Sequence, residues 1–454
     1  MPPDPPATLP DKLFGRILGL EKHEYVAVAW SFAYFFCVLA SYYMLRPMRE
    51  AMGAESGVET IPFLFSSTFL VMLVASPVFG WIASKYPRRT FLPWVYAFFA
   101  ANILLFYAAF AHADANGGEI VWVGRFFFVW LSVFNLFVVS VFWSFMADIY
   151  SREQGRRLFG VISAGGSAGA LVGPFVTSQL AVPLGFQNLL PISACLLLMS
   201  VLCIRRLRSW VENEQDSEIV ETAATPRPLG GSAFAGISHV LQSRYLLAIA
   251  VLSIIASLLG TALYMFMTDL VSRAVEGVDE RTRIFGFLDA GTSVLALLFQ
   301  LFVVKHAVRR LGIGVTLTLL PIVSLIGFVI LTIHPVLLVV AVLQAVRRAI
   351  GFGFSKPGMD MLYSVVTPEE KYKAKNFIDT AVYRGGDLLG TWTIKLVWGL
   401  GISGIALGLL PFALLWVVIA LWLGREYRRR DEAPGPGADT DDLDKKRQPT
   451  LESP

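Results

Sequence analysis

The sequence predicts an all-α membrane protein with twelve transmembrane helices in two halves of six, and three observations support this prediction. The chain has 454 residues, of which 55% are hydrophobic and only 16% are charged, whereas about a quarter of the residues of a soluble domain are charged. Its apolar runs are long enough to cross a bilayer and fall into two sets of six. A polar segment at residues 208–243 separates the two sets.

Each predicted helix corresponds to one apolar run of about 18 residues or more, a length that spans a hydrocarbon layer about 30 Å thick. Helices are predicted because a helix satisfies its own backbone polar groups in lipid. In the first half the runs lie at residues 25–46, 61–83, 91–112, 121–147, 158–181 and 187–204. In the second half they lie at residues 244–268, 284–304, 311–333, 335–365, 376–400 and 402–423.

The two predicted halves, residues 25–207 and 244–424, are joined and flanked by polar segments. We expect residues 1–24, which are rich in proline and charge, to be disordered or to form a short amphipathic helix on the membrane surface. The segment 208–243 carries acidic residues followed by prolines, which is typical of a surface linker. The tail at residues 425–454 is rich in Asp, Pro and Lys and is predicted to be disordered.

Basic residues are concentrated on one side of the predicted membrane. The connections on that side carry clusters of Lys and Arg: Lys85, Arg88 and Arg89; Arg152, Arg156 and Arg157; Arg205, Arg206 and Arg208; Lys305, Arg309 and Arg310; Lys371, Lys373 and Lys375; and Arg425 with Arg428 to Arg430. The connections after Leu180, His334 and Leu400, on the other side, carry none. Because basic loops remain in the cytoplasm, we expect both termini and the linker to be cytoplasmic, in a protein of the plasma (inner) membrane.

The sequence lacks the motifs of several other classes of protein. Its five histidines are dispersed without metal-ligand spacing, and Cys37, Cys195 and Cys203 lie singly within apolar runs, so we predict neither a metal site nor a cofactor. No Gly-x-x-x-x-Gly-Lys-[Ser/Thr] phosphate loop is present, which argues against an ATP-driven pump, and we do not predict an enzyme. The net charge of +4 is spread over short clusters, so no nucleic-acid partner is expected.

A glycine-rich segment from Gly165 to Pro174 allows two interpretations. Gly165, Gly169 and Gly173 recur every four residues, which places them on one helix face, where small residues let two membrane helices approach closely. The letters from Gly165 to Gly169 also satisfy Gly-x-Ser-x-Gly, the turn that carries a hydrolase nucleophile, but that turn follows a strand and needs His and acidic partners. We therefore predict helix packing at this segment.

The candidate functional residues are charges inside predicted helices ten and eleven. Arg347 and Arg348 lie in helix ten, and Arg384 lies in helix eleven with Asp379 and Asp387. A charge at mid-membrane costs at least about 2.5–3.5 kcal/mol, so such residues face a bundle interior or a wet cavity and mark a solute path. Because Lys and Arg outnumber Asp on these two helices, we expect unpaired guanidinium groups that can hold an anion. The competing interpretation is a purely structural ion pair, such as Arg384 with Asp387 at i,i+3.

A basic motif resembles the loop signature of the major facilitator superfamily. The residues Gly80-Trp81-Ile82-Ala83-Ser84-Lys85-Tyr86-Pro87-Arg88-Arg89 supply a glycine, a basic residue after four others, and then a basic pair. A related pattern, Lys305-His306-Ala307-Val308-Arg309-Arg310, lies at the equivalent place in the second half. Two halves that share landmarks indicate parallel repeats about an axis along the membrane normal. The resemblance implies the major facilitator fold, with a substrate site between the halves.

Further patches resemble the ATP/ADP antiporters of bacteria and plastids, which are distant relatives of the major facilitators. The matching patches are Tyr42-Tyr43-Met44-Leu45-Arg46-Pro47-Met48-Arg49-Glu50, Ile61-Pro62-Phe63-Leu64, Trp143 to Phe159, and Lys373-Ala374-Lys375-Asn376-Phe377-Ile378-Asp379 followed by Arg384-Gly385-Gly386. The chain has Arg49-Glu50 where the family tends to show Lys-Asp, which keeps the charges, and Asp387 where a lysine usually follows the glycine. The resemblance implies nucleotide exchange, and the acid at position 387 argues against a triphosphate ligand.

These observations lead to the hypothesis of a secondary transporter that moves a small organic anion, such as a nucleotide or another phosphate compound, by alternating access. The candidate substrate-binding residues are Arg46, Arg49, Arg347, Arg348, Arg384, Asp379 and Asp387. The first two are expected to line the outer approach, and the other three arginines are expected to hold the anion. The two aspartates either pair with arginines in the empty state or carry a proton. Exchange and proton symport are both open at this stage.

Two alternatives also stay open. The first is a facilitator for a cation or drug, in which Asp289, Asp379 and Asp387 are the acceptors. The second is a membrane sensor or assembly factor without transport, although the sequence offers no sizeable soluble domain through which it would signal. For the favoured hypothesis the partners are an anionic small molecule and membrane lipid, and we expect a monomer.

Overall fold

The computed structural model of this chain describes residues 21–85, 88–116, 120–215, 235–367, 373–375 and 377–432. Within these ranges the chain is helical apart from short turns and contains no strand, which confirms the all-α prediction. Most of the predicted N-terminal segment, of the linker and of the tail lies outside the described residues, as do Tyr86, Pro87 and Lys371 of the basic turns.

The helices follow one another in the predicted order. The first half contains α1 (Tyr25–Glu55), α2 (Ile61–Lys85), α3 (Arg88–Ala115), α4 (Ile120–Ile149), α5 (Arg152–Leu184) and α6 (Leu189–Gln215). The second half contains α7 (Ala235–Gln242), α8 (Arg244–Ala274), α9 (Val278–Leu298), α10 (Lys305–Ile333), α11 (Leu337–Ile350), α12 (Lys356–Leu362), α13 (Tyr383–Leu396) and α14 (Gly401–Asp431). Among the described residues, three π-helical segments adjoin these helices: Phe299–Val304, Gly351–Ser355 and Ile378–Val382.

Nine helical segments in the described part of the chain are long and apolar enough to cross a membrane. The three other predicted spans correspond to α9, to α11 with α12, and to α13. Helices α11 and α13 have only 14 residues each before a π-helical segment extends them, and α9 carries Arg281, Arg283 and Asp289. The architecture is therefore consistent with twelve spans, and the three helices that are shorter or more charged carry most of the predicted site residues.

Some helices extend into segments that the sequence predicted to be irregular. Helix α14 continues to Asp431 because Glu426 accepts hydrogen bonds from Arg429 and Arg430, each at 2.9 Å, and pairs at this spacing stabilise an exposed helix. Helix α6 continues to Gln215, and α7 lies within the predicted linker.

The glycine-rich segment packs helix α5 against helix α1. A Cβ atom at Gly169 would lie 2.5 Å from the carbonyl oxygen of Phe36, and one at Gly173 would lie 2.7 Å from that of Ala40. These distances are shorter than a van der Waals contact, so only glycine allows the two backbones to lie this close. The packing interpretation of this segment is confirmed, and the Gly-x-Ser-x-Gly letters lie inside a helix rather than after a strand.

The two halves of the protein contact each other near one membrane face. We call the membrane face on which Lys85 and Arg205 lie the basic face, and the other membrane face the opposite face. At the opposite face Arg281 of α9 pairs with Glu55 of α1, and the backbone N–H of Phe186 donates to Asp279 at 2.6 Å. In addition, Trp392 Nε1 of α13 donates to Ser66 Oγ of α2 at 3.1 Å. The halves are therefore joined at the opposite face.

Candidate functional site

Three helices bring charged residues to the same depth. Arg46 precedes the end of α1 at Glu55 by nine residues, and Asp289 of α9 and Arg348 of α11 each follow the start of their helix by eleven residues. At about 1.5 Å per residue, all three lie roughly 14–17 Å from the opposite face, which is near the middle of a hydrocarbon layer about 30 Å thick. Because α1 belongs to the first half and α9 and α11 to the second, these charges meet between the halves.

An ion cluster forms where the three helices meet. Arg348 Nη1 donates to Asp289 Oδ1 at 2.6 Å, and Arg46 Nε lies 3.7 Å from Asp289 Oδ2. One turn along α1, Glu50 Oε1 lies 3.8 Å from Arg46 Nε and accepts a hydrogen bond from Arg49 Nη2 at 2.7 Å. Three guanidinium groups thus share two carboxylates, which leaves the cluster with one excess positive charge.

The hydrogen bonding of this cluster is incomplete. Arg49 Nε, Glu50 Oε2 and Asp289 Oδ2 are buried and have no hydrogen-bond partner in the described part of the chain. A buried charged atom without a partner carries a desolvation penalty, and a polar ligand that supplies the missing partner would remove that penalty. The cluster is therefore suited to bind a further polar group.

A cavity of about 280 Å³ lies beside the ion cluster and runs from it towards the basic face. Its inner end is formed by Arg46, Asp289 and Arg348. The rest of its lining combines aromatic rings with hydroxyl and amide groups, including Phe35, Tyr43, Phe352, Ser163, Ser167 and Gln300. A cavity with charges at one end and aromatic and polar groups along its sides can hold an organic ion rather than a purely apolar ligand.

Arg347 and Arg348 are neighbours in sequence but have different surroundings, because successive residues of a helix lie about 100° apart. Arg348 lines the cavity between the halves. Arg347 lies within the second half, where its Nη2 donates to the backbone oxygen of Ala256 at 3.4 Å and its guanidinium carbon lies 5.6 Å from the ring centre of Trp416. Arg347 is 8% exposed, its Nη1 has no hydrogen-bond partner, and it forms no ion pair with a described residue.

On α13, Arg384 and Asp387 do not pair with each other. Arg384 is exposed and forms no ion pair within the described ranges. Asp387 Oδ1 instead accepts hydrogen bonds from two hydroxyl groups of α8, from Ser257 at 2.5 Å and from Thr261 at 3.4 Å. The structural pair that the i,i+3 spacing suggested is thus replaced by contacts with another helix.

Asp379 lies away from the central cluster, near the basic face. It pairs with Lys356 at 3.4 Å, and the neighbouring Asp360 pairs with Lys375 at 2.7 Å. Lys356 and both carboxylates are well exposed. Of the seven predicted site residues, the structure therefore brings together Arg46, Arg49 and Arg348, and it places the other four elsewhere in the second half.

The carboxylates of the central cluster, Glu50 and Asp289, were not among the seven candidate residues of the favoured hypothesis, although Asp289 was an acceptor in the cation alternative. Glu50 was visible only as the partner in the Arg49-Glu50 pair, and Asp289 only as an acid inside an apolar run. Both residues bind arginines of the cluster. The available signal was an ionisable residue inside a predicted transmembrane helix, which by itself indicates a functional position.

Comparison with known proteins identifies the fold. Residues 31–391 match the family model described as Major Facilitator Superfamily. The chain belongs to the major facilitator superfamily. It is 22% identical over 504 residues to the ADP,ATP carrier protein 2 of Chlamydia pneumoniae, with 92% of each chain covered, and 21% identical over 482 residues to the ADP,ATP carrier protein 1 of Chlamydia muridarum, with 91% of this chain and 90% of the relative covered.

Solved structures of other transporters share this fold. The nucleoside transporter NupG superposes with a TM-score of 0.58 at 16% identity, covering 91% of this chain and 100% of NupG. A bacterial homologue of the human lysosomal transporter Spinster, in an inward-facing and unoccupied conformation, superposes with a TM-score of 0.57 at 11% identity, covering 92% of this chain and 100% of the homologue. These likenesses confirm the predicted fold, and the family makes the chain a secondary transporter of the major facilitator type.

Proposed function

We propose that this transporter moves a small organic anion by alternating access, with a nucleotide or another phosphate compound as the substrate class. The observation that carries the proposal is the cavity between the halves, whose inner end holds two arginines and one carboxylate. Parallel repeats of this kind bind substrates at the repeat interface near the middle of the membrane.

Charge favours an anion over a cation in this cavity. Asp289 is the acid that a cation would need, but it is in contact with Arg46 and Arg348, so an incoming cation would have to compete with two guanidinium groups. An anion meets an excess of positive charge in a low-dielectric site. Arginine also binds phosphate and carboxylate through two parallel hydrogen bonds.

The position of the arginines supports a simple mechanism. Arg46 is on a helix of the first half and Arg348 is on a helix of the second, and Asp289 links them in the empty protein. An anion that enters from the basic face would replace Asp289 as the partner of one or both arginines. Because the anion would contact both halves, its binding would change the relative stability of the two conformations. Exchange and proton-coupled transport are both compatible with this step.

The relatives narrow the proposed substrate class. The two relatives described above are ADP,ATP carriers, so nucleotides are the first anions to test. Arg384 is exposed without an ion pair in the described ranges, and Arg347 is buried without one. Both are therefore candidates for a second contact with a phosphate group during the transport cycle.

Two measurements test the proposal. A panel of labelled nucleotides, phosphorylated sugars and organic cations is assayed for uptake into proteoliposomes, with and without the same compound inside. The same compounds are assayed for thermal stabilisation of the purified protein, because a ligand that binds only the folded state raises its stability. We expect nucleotides or sugar phosphates, and not cations, to be active in both assays.

Variants of the arginines connect the activity to the site. A hydrogen bond to a charged group contributes about 1.5–3 kcal/mol, so Arg348→Ala should weaken anion binding about 10-fold to 150-fold. Arg429→Ala is the matched control, since Arg429 is 79% exposed at the end of α14. Undiminished anion transport in Arg46→Ala and Arg348→Ala would refute the central role of this pair. The same result in Arg347→Ala and Arg384→Ala would remove those two residues from the proposed site.

A further inference from the structure

A second polar site lies between helices α8 and α13, away from the ion cluster. Its members are Asp387 of α13, the backbone oxygen of Tyr383 one turn earlier, and the hydroxyl groups of Ser257 and Thr261 on α8. Ser257 and Thr261 are buried, and Asp387 is half-buried. The site therefore consists of a carboxyl group in the membrane interior that is surrounded by oxygen atoms.

Close packing of the two helices creates this site. A Cβ atom at Gly386 would lie 3.0 Å from Ser257 Cβ, and one at Gly390 would lie 3.4 Å from Thr261 Cβ. Glycine at both positions lets α13 approach α8 closely enough for Asp387 to reach the two hydroxyl groups. Gly386 and Gly390 of α13 therefore have a structural role: they allow the close packing that brings Asp387 to α8.

The hydrogen bonds at Ser257 favour a protonated carboxyl group. Ser257 Oγ lies 2.5 Å from Asp387 Oδ1 and 3.2 Å from the carbonyl oxygen of Tyr383. A hydroxyl group has one hydrogen, so with an ionised Asp387 it can form a full hydrogen bond to one of these two acceptors at a time. When Asp387 carries a proton, its O–H donates to Ser257 Oγ, and the Ser257 hydroxyl donates to Tyr383. Both contacts then have a hydrogen.

Among the described residues, the lack of a charged partner also favours a protonated Asp387. Asp387 forms no ion pair within the described residues, whereas Glu50 and Asp289 each contact an arginine. The hydrogen bonds that α8 donates to Asp387 come from the neutral hydroxyl groups of Ser257 and Thr261. Helix α2, which packs on α13 through Ser66, has no ionisable residue before Lys85. Two basic residues lie on neighbouring segments: Arg384 is three residues earlier on the same helix, and Arg347 reaches the carbonyl oxygen of the residue before Ser257. An ionised carboxylate without a partner is unfavourable inside a membrane, and a neutral carboxyl group is not.

We propose that Asp387 is the proton-binding site that couples transport to the proton gradient. This inference rests on the proposed function, and it selects proton coupling over pure exchange. In each cycle Asp387 takes up one proton on Oδ1 from the side to which the site is open and releases the same proton on the other side. In the protonated form it donates to Ser257, which ties α13 to α8. In the ionised form the carboxylate accepts from Ser257 and Thr261 and attracts Arg384, so the two forms differ in the contacts of α13.

The experiment compares wild type, Asp387→Asn and Asp387→Glu in proteoliposomes with the membrane potential clamped. Labelled ADP, AMP and a sugar phosphate are the probes, and uptake is measured with and without a gradient of one pH unit. If one proton moves with each anion, the gradient supports about tenfold accumulation in wild type. We expect the ratio of internal to external anion to stay near one in Asp387→Asn and to return towards the wild-type value in Asp387→Glu. Asp360→Asn is the matched control, because Asp360 is an exposed acid paired with Lys375 near the basic face.

An infrared titration of the purified protein measures the proton directly. Wild type should show the carbonyl stretch of a protonated carboxyl group that disappears as pH rises, and Asp387→Asn should lack this band even if its transport is lost. Anion exchange without any effect of the gradient in wild type would overturn the inference and leave the proposed function intact. A gradient effect that persists in Asp387→Asn, or an unchanged infrared titration, would also overturn it. If wild type takes up none of the anionic probes, the proposed function is overturned, and the coupling inference with it.

Discussion

Replacing Asp289 with asparagine tests whether the central carboxylate occupies the place of an anion. Asparagine has the same shape as aspartate but no charge, so Arg348 would face a neutral amide oxygen in place of the charged carboxylate oxygen that it now contacts at 2.6 Å. Arg46 loses its ion pair at 3.7 Å and keeps Glu50, at 3.8 Å, as its acidic partner. The perturbation therefore exposes two guanidinium groups at the inner end of the cavity.

The size of the effect follows from the burial of the cluster. Asp289 is 6% exposed, and removing one member of a buried ion pair costs about 3–5 kcal/mol. If each half unfolds as one unit, this corresponds to a fall of roughly 6–20 °C in the apparent melting temperature. An anion between Arg46 and Arg348 would replace the missing charge and recover part of the loss. We therefore expect the variant to be less stable when empty and to be stabilised more strongly by the transported anion.

The assay is thermal unfolding of purified protein at a fixed scan rate, since many large proteins unfold irreversibly and their apparent melting temperature then depends on the scan rate. Wild type, Asp289→Asn and Asp360→Asn are compared with and without the anion that gives the highest uptake. Asp360 is 42% exposed, and a surface pair of this kind contributes at most about 1 kcal/mol, so its variant should unfold close to wild type. Equal stabilisation of wild type and Asp289→Asn by the anion would refute the idea that the carboxylate and the anion share a place.

Three further predictions use matched pairs of residues. Gly169→Ala should destabilise the protein by about 1–3 kcal/mol or more, because its Cβ would lie 2.5 Å from a backbone oxygen of α1. The control Gly160→Ala, on the same helix, meets nothing within 4 Å and should be neutral. Equal melting temperatures of the two variants would contradict the close packing of α5 against α1. Glu55→Gln should weaken the contact with Arg281 by about 1 kcal/mol, and maleimide labelling of Ser66→Cys in a cysteine-free background should then rise up to about fivefold. The control Glu59→Gln, at an exposed residue, should not change the labelling. Unchanged labelling in Glu55→Gln would show that this pair does not hold the halves together. Arg347→Leu should leave the empty protein as stable as wild type or more stable, since it removes a buried charge without an acidic partner among the described residues. Arg348→Leu should destabilise the protein, since it removes the partner of Asp289. Thermal unfolding measures both effects, and a lower melting temperature for Arg347→Leu than for Arg348→Leu would contradict the assigned surroundings.

Much of the fold was predictable because the bilayer imposes it. Apolar runs of spanning length must be helical in lipid, and the small-residue spacing at Gly165, Gly169 and Gly173 correctly indicated close packing of α5. The ends of helices were less predictable. Helix α14 continues to Asp431 through local ion pairs in a segment whose composition suggested disorder.

The partners of the charges could not be predicted, since they depend on contacts between helices far apart in sequence. The sequence places Asp289, Asp379 and Asp387 alike inside apolar runs. In the structure the first meets Arg348, the second meets Lys356 near the basic face, and the third meets hydroxyl groups of α8. A serine or threonine inside a membrane helix gives no signal of its own, because such a hydroxyl usually bonds to the backbone of its own helix.

The distribution of charge over the two halves explains why the site lies where it does. In the described part of the first half, the cluster charges Arg46, Arg49 and Glu50 all come from α1, and its other helices contribute none to the cluster. The second half supplies Asp289 and Arg348 from two helices, and it carries Arg347, Arg384 and Asp387 outside the cluster. A bilayer tolerates such charges only where another helix or water meets them. Rocking of the second half against α1 would therefore change the partners of several charges at once, and a substrate that supplies one negative charge at that place can decide which set of partners is the more stable.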